Sequence, residues 1–98
     1  MNQEELESLK GDIMDVFYDL MYGSIKYRFD KLHSAMGTSI CEIFSAATED
    51  FVLTIEFGHE VTKEQVQTLH DNLVTFAKEF KVKEAKVLAQ KAKILLDE

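Results

Sequence analysis

The chain has no proline, a single cysteine and no apolar run long enough to cross a bilayer. One cysteine, Cys41, excludes an internal disulfide and reads as a small buried hydrophobe. The stretch Met1-Asn2-Gln3-Glu4-Glu5 is acidic and polar where a secretory leader is basic and then apolar, so a reducing cytoplasm is the expected compartment. No membrane-spanning helix is expected, because such a helix needs about 18 or more consecutive apolar residues. With no proline, low-complexity tract or internal repeat, nothing marks a linker, and residues 1–98 are expected to form one domain. Catalytic and metal motifs are missing as well. His33, His59 and His70 show no HExxH, CxxC or i, i+4 arrangement, so no metal site and no cofactor are expected.

Basic residues are scarce in the first part of the chain. Residues 1–60 hold twelve acids against four bases, and residues 61–98 six acids against seven bases. The formal net charge of −7 therefore belongs to the first part. Such a field steers basic partners and repels nucleic acid. A composition of 46% apolar and 30% charged residues is that of a globular chain rather than a disordered one.

Hydrophobic spacing predicts helices at both ends. Leu6, Leu9, Ile13, Val16 and Leu20 recur at helical spacing over 3–22, and Gly23 stands where a left-handed residue ends a helix. Phe17, Met21 and Met14 widen this stripe beyond what one packing surface needs, which predicts contact with two surfaces. Thr62 and Gln65 form a capping box ahead of Val66, Leu69, Leu73, Phe76, Ala77 and Phe80. Residues 83–96 are rich in helix formers, with Ala85, Leu88, Ala89, Ala92, Leu95 and Leu96 on one face and Val87 and Ile94 opposite. A strand at 85–95 is the alternative there.

Between these helices the pattern suggests strands. Ile25, Tyr27 and Phe29 alternate with Lys26, Arg28 and Asp30. Residues 33–37 read as a connection and 38–46 as a second strand. Thr48-Glu49-Asp50 reads as a hairpin loop, and Phe51, Leu53, Ile55 and Phe57 as a third strand ended by Gly58. The expected fold is α+β in the order α-β-β-β-α-α, a three-stranded antiparallel meander packed against helices. Its expected core comprises Leu9, Ile13, Val16, Leu20, Tyr27, Phe29, Ile43, Leu53, Ile55, Phe57, Val66, Leu69, Leu73 and Phe76, with Cys41 facing Phe29 on the same side. The rival pattern extends the first helix through residue 44, with Met21, Ile25, Phe29, Leu32, Met36, Ile40 and Ile43 in helical register.

Three groups of residues are candidate sites. Asp12, Asp15 and Asp19 share an edge of the first helix, with Tyr18 and Tyr22 beyond them. That edge is either a solvated face or a docking surface for a basic partner, such as a nucleic-acid-binding protein whose groove receives carboxylates in place of phosphates. On the outer face of the expected sheet, a hairpin centred near Ala35 sets Arg28 opposite Glu42, and Glu42 falls opposite Glu56. This is an ion-pair row or, in an enzyme, a pair of carboxylates for acid–base work. Ile40, Phe44 and Val52 would share that outer face and need cover. The third group, Lys78, Lys81, Lys83, Lys86, Lys91 and Lys93, points in several directions on a helix and reads as a solvated surface, or as a basic region that meets the acidic helix of another copy.

The expected function is that of a small acidic non-enzymatic binding protein. It would inhibit or regulate a protein partner by occupying its surface, without contacting nucleic acid or membrane itself. Small inhibitors of phages and mobile elements share this size, acidity and lack of motifs, which is analogy alone. A homo-oligomeric structural or adaptor subunit, in its simplest form a homodimer, is the alternative, and a small-ligand protein or enzyme the third reading.

Overall fold

Five helices run through the residues that the computed structural model describes, which are 1–32 and 37–98 for the backbone, with the side chains of 29–39 outside the description. They are α1 (Gln3–Met21), α2 (Ser24–Leu32), α3 (Gly37–Glu56), α4 (Lys63–Phe80) and α5 (Lys83–Leu96). There is no strand among the described residues, so the α+β expectation with its three-stranded meander is overturned. α1 packs on α3, α3 on α4, α4 on α5, and α5 returns to α1, closing a bundle around one core, while α2 packs on α1 and α3. Most of the connection expected at 33–37, including Ala35, lies outside the described residues, as do the side chains of Phe29 and His33.

The correction centres on α3. Residues 51–57 alternate with period two, yet they also continue a helical stripe that begins earlier. Ile40, Cys41, Phe44, Thr48, Phe51, Val52 and Ile55 all lie on one face and all are buried. Strand preference of aromatic and β-branched residues is worth little when a helix buries more of them. Ile40, Phe44 and Val52, expected on an outer sheet face, are therefore core, whereas Tyr27, Ile43, Leu53 and Phe57, expected in the core, are exposed. Thr48-Glu49-Asp50 is mid-helix rather than a loop, and the buried Thr48 hydroxyl is satisfied by donating to the Phe44 carbonyl at 3.0 Å. Gly58 ends a helix and not a strand. Its φ of 73°, the bond from its N–H to the Ile55 carbonyl and the bond from the His59 N–H to the Thr54 carbonyl form a Schellman cap.

The terminal helices follow their patterns. Leu6, Leu9, Ile13, Val16 and Leu20 of α1 are buried, and Asn2 caps the helix by accepting from the N–H groups of Glu4 and Glu5. The wide apolar arc of α1 is used within the chain, against α2, α3 and α5. Gly23 follows the end of α1 without a left-handed backbone. It is needed for closeness instead, since a Cβ there would stand 2.6 Å from Asp19 Oδ1 and 3.0 Å from Asp19 Cα. The same break separates α2 from α1, so the rival single helix through residue 44 does not form, although Ile25 and Ile40 are buried as it required.

α4 begins with the expected capping box, the Thr62 hydroxyl accepting from the Gln65 N–H and Gln65 Oε1 from the Thr62 N–H. The Gln65 amide also donates to Asp50 Oδ2 and Thr54 Oγ1, which fastens this cap to α3. α5 is a helix, not a strand, and buries Ala85, Leu88, Ala89, Ala92 and Leu95. Its alanines let α5 approach α4 closely, making this the most extensive contact between any two helices described.

Candidate functional site

A groove of about 630 Å3 is formed by α4, the turn at Lys81 and Val82, and α5. The sharp reversal sets its shape. Phe80 ends α4, Lys81 takes the left-handed conformation with φ 56° and ψ 41°, and Val82 leads into α5. Two helices joined by so short a turn run antiparallel, so side chains from the end of one stand beside those from the start of the other.

An apolar floor and a basic rim make up the groove. Val74, Ala77, Val82, Ala89 and Ile94 supply the floor, and Lys78, Lys81, Lys83, Lys86 and Lys93 the rim, with His70 and Gln90 among the other lining residues. No carboxylate lines it among the described residues. Lysine stems extend the apolar surface while their ammonium groups stay in water. Lys93 is paired with Asp97 at 3.4 Å, but no carboxylate pairs with Lys78, Lys81, Lys83 or Lys86 among the described residues. His70 Nδ1 lies 3.0 Å from Asp71 Oδ1, and this contact, helped by a bond from Gln67, holds the Asp71 carboxyl below the usual value.

Sequence spacing alone scatters these lysines, because it places them on single helices. Five of the six converge once α4, the turn and α5 are taken together. Only Lys91 points elsewhere, to Asp12 Oδ2 at 2.6 Å. Ile94, which falls on the wrong side of α5 for the core, was the available signal, since it lines this groove while exposed.

The other predicted residues are dispersed. Of the acidic edge of α1, Asp12 is held by Lys91, while Asp15 and Asp19 are exposed beside Tyr18 and Tyr22, the last at 76%. Arg28, Glu42 and Glu56 form no common face, since no sheet among the described residues aligns them. Arg28 donates to Glu84 Oε2 at 2.7 Å, tying α2 to α5, and Glu56 pairs with Lys10 at 3.5 Å, tying α3 to α1. Glu42 stands on α3 beside a small hollow lined also by Phe17, Lys26 and Cys41. Val87 is exposed and takes no part in the groove.

Cys41 is buried, with Sγ 4.0 Å from the Phe17 carbonyl. Burial, and secondarily the Glu42 carboxylate, push its thiol up from the ordinary value, the opposite of what a nucleophile requires. Among the described residues no three His, Cys, Asp or Glu side chains converge as a metal site would demand, and no helix is long and apolar enough to cross a membrane. No family model, curated protein or solved structure matches the chain.

Proposed function

We propose that this chain is a small non-enzymatic binding protein of the cytoplasm. It regulates or inhibits a protein partner by receiving an acidic, amphipathic helix of that partner in the α4–α5 groove. The observation that carries this reading is the pairing of an apolar floor with four lysines, Lys78, Lys81, Lys83 and Lys86, that have no carboxylate partner among the described residues. An amphipathic helix seats its apolar face in such a groove and leaves its flanks to meet the rim. From His70 to Lys81 the wall rises about 16 Å, the length of roughly three helical turns. Nucleic acid suits the groove less well. No phenylalanine, tyrosine or tryptophan lines it among the described residues, and the net charge of −7 opposes phosphate.

The test is a titration of the isotope-labelled chain with a synthetic helical peptide carrying leucines on one face and glutamates along both flanks. Chemical shift changes should gather at Val74, Ala77, Val82 and Ala89. Binding should weaken with salt, and by about tenfold in the variant Lys83→Glu/Lys86→Glu. Absence of saturable binding, or shifts gathered elsewhere, would reject the groove as the site.

A second reading keeps the acidic edge of α1 as a docking surface for a basic partner. It is favoured by the exposure of Tyr18 and Tyr22 beside Asp15 and Asp19, since tyrosine is enriched at interface hot spots. Binding lost in Asp12→Lys/Asp15→Lys/Asp19→Lys would support it.

A further inference from the structure

We infer that a second copy of this chain is itself an occupant of the α4–α5 groove, entering through the outer face of its α3. This rests on the groove reading above and names a ligand for it. Ile43, Leu53 and Phe57 are exposed at 45%, 43% and 71%. At 100° per residue they fall within an arc of about 80°, on the side of α3 opposite its buried stripe. Three large apolar side chains in one row are more than a solvated helix face requires, and no other described part of the chain covers them.

Charge complementarity identifies what does. α3 (Gly37–Glu56) contains no lysine, arginine or histidine, and its outward half carries Glu42, Glu49 and Asp50. Asp50 already accepts from Gln65, but Glu42 and Glu49 have no partner among the described residues. Glu42 and Glu49 thus line one edge of the apolar arc and Asp50 stands within it, so the face is apolar and acidic, whereas the groove is apolar along its floor and basic at its rim. Ile43 to Phe57 spans about 21 Å of helix, enough to run the roughly 16 Å of the groove. Donor and acceptor surfaces differ, so the contact is head-to-tail, and an open assembly keeps one unused surface of each kind, one at each end.

Sedimentation velocity on the full chain from micromolar to millimolar concentration tests the inference. The mean mass of the wild type should rise with concentration and fall with added salt. Leu53→Ser/Phe57→Ser should associate at least about tenfold more weakly, as should the charge-only variant Glu42→Lys/Glu49→Lys and the groove variant Lys83→Glu/Lys86→Glu. Each of these has lost one surface only. An equal mixture of Leu53→Ser/Phe57→Ser with Lys83→Glu/Lys86→Glu should therefore associate again and stop at a one-to-one pair. A wild type that stays monomeric at millimolar concentration overturns the inference, and so does a mixture that fails to pair. If the wild type is monomeric yet the leucine–glutamate peptide still binds at the groove, self-association alone falls. If neither binds, the groove reading falls with it.

Discussion

Lys81 carries the only left-handed backbone on a non-glycine residue among those described. Its Cβ makes that conformation costly by roughly 1 kcal/mol relative to glycine. Lys81→Gly should therefore raise the midpoint of thermal or denaturant unfolding, by an amount equivalent to about 0.5–1 kcal/mol, with the offset that glycine loses more freedom on folding. A midpoint that falls would show that the lysine side chain contributes more to the turn than its backbone costs. The residue also explains why the groove is hard to read from the chain. Nothing in Phe80-Lys81-Val82 resembles a turn signal, because the left-handed position is not a glycine or an asparagine. Without the turn, Lys78 and Lys83 belong to no common surface.

The helices differ in how openly the sequence states them. α1, α4 and α5 have one periodicity each, and their buried faces are those that spacing predicts. α3 satisfies two periods at once. Phe51, Leu53, Ile55 and Phe57 alternate, while Phe44, Phe51, Val52 and Ile55 lie on one helical face, and the local pattern alone does not choose between them. What decides is burial against neighbours that are remote in sequence, such as the edge-to-face contact of Phe44 with Phe76 at 5.3 Å. Gly58 and the Thr62 box mark the two ends of the same connection, so α3 and α4 are set by paired caps. Thr62→Ala removes an acceptor for the Gln65 N–H and loosens the bonds from Gln65 to Asp50 and Thr54. We expect a loss of about 1–2 kcal/mol in equilibrium unfolding, at the upper end of a helix cap because two helices share it. A loss below a few tenths would mean that the box acts on α4 alone.

At the scale of the molecule, charge is unevenly divided between α1 with α3 and the α4–α5 hairpin, while α2 adds three bases and one acid beside the first pair. α1 and α3, which pack together, hold ten acids and one base, the base being Lys10 in its pair with Glu56. The α4–α5 hairpin over 63–96 holds seven bases and four acids. Replacing Asp12, Asp15 and Asp19 with lysine changes the formal charge by six, from −7 to −1. Because only Asp12 is engaged within the fold, with Lys91, the variant should stay helical and lose about 1 kcal/mol or less of stability. If it keeps its affinity for a basic partner, the acidic edge of α1 is a solvated face and not a docking surface. The charge asymmetry is legible from the chain, but its arrangement in space is not. That requires knowing that the two acidic helices are neighbours and that the lysines line a hollow.

This uneven division has a consequence at any charged boundary. A particle with its negative and positive groups drawn apart has a large permanent dipole, and it turns before it adheres. Against an anionic support, a protein with an overall excess of carboxylates would still present its lysine side first. Its migration in an electric field follows the sum of its charges, while the way up in which it lands follows their placement.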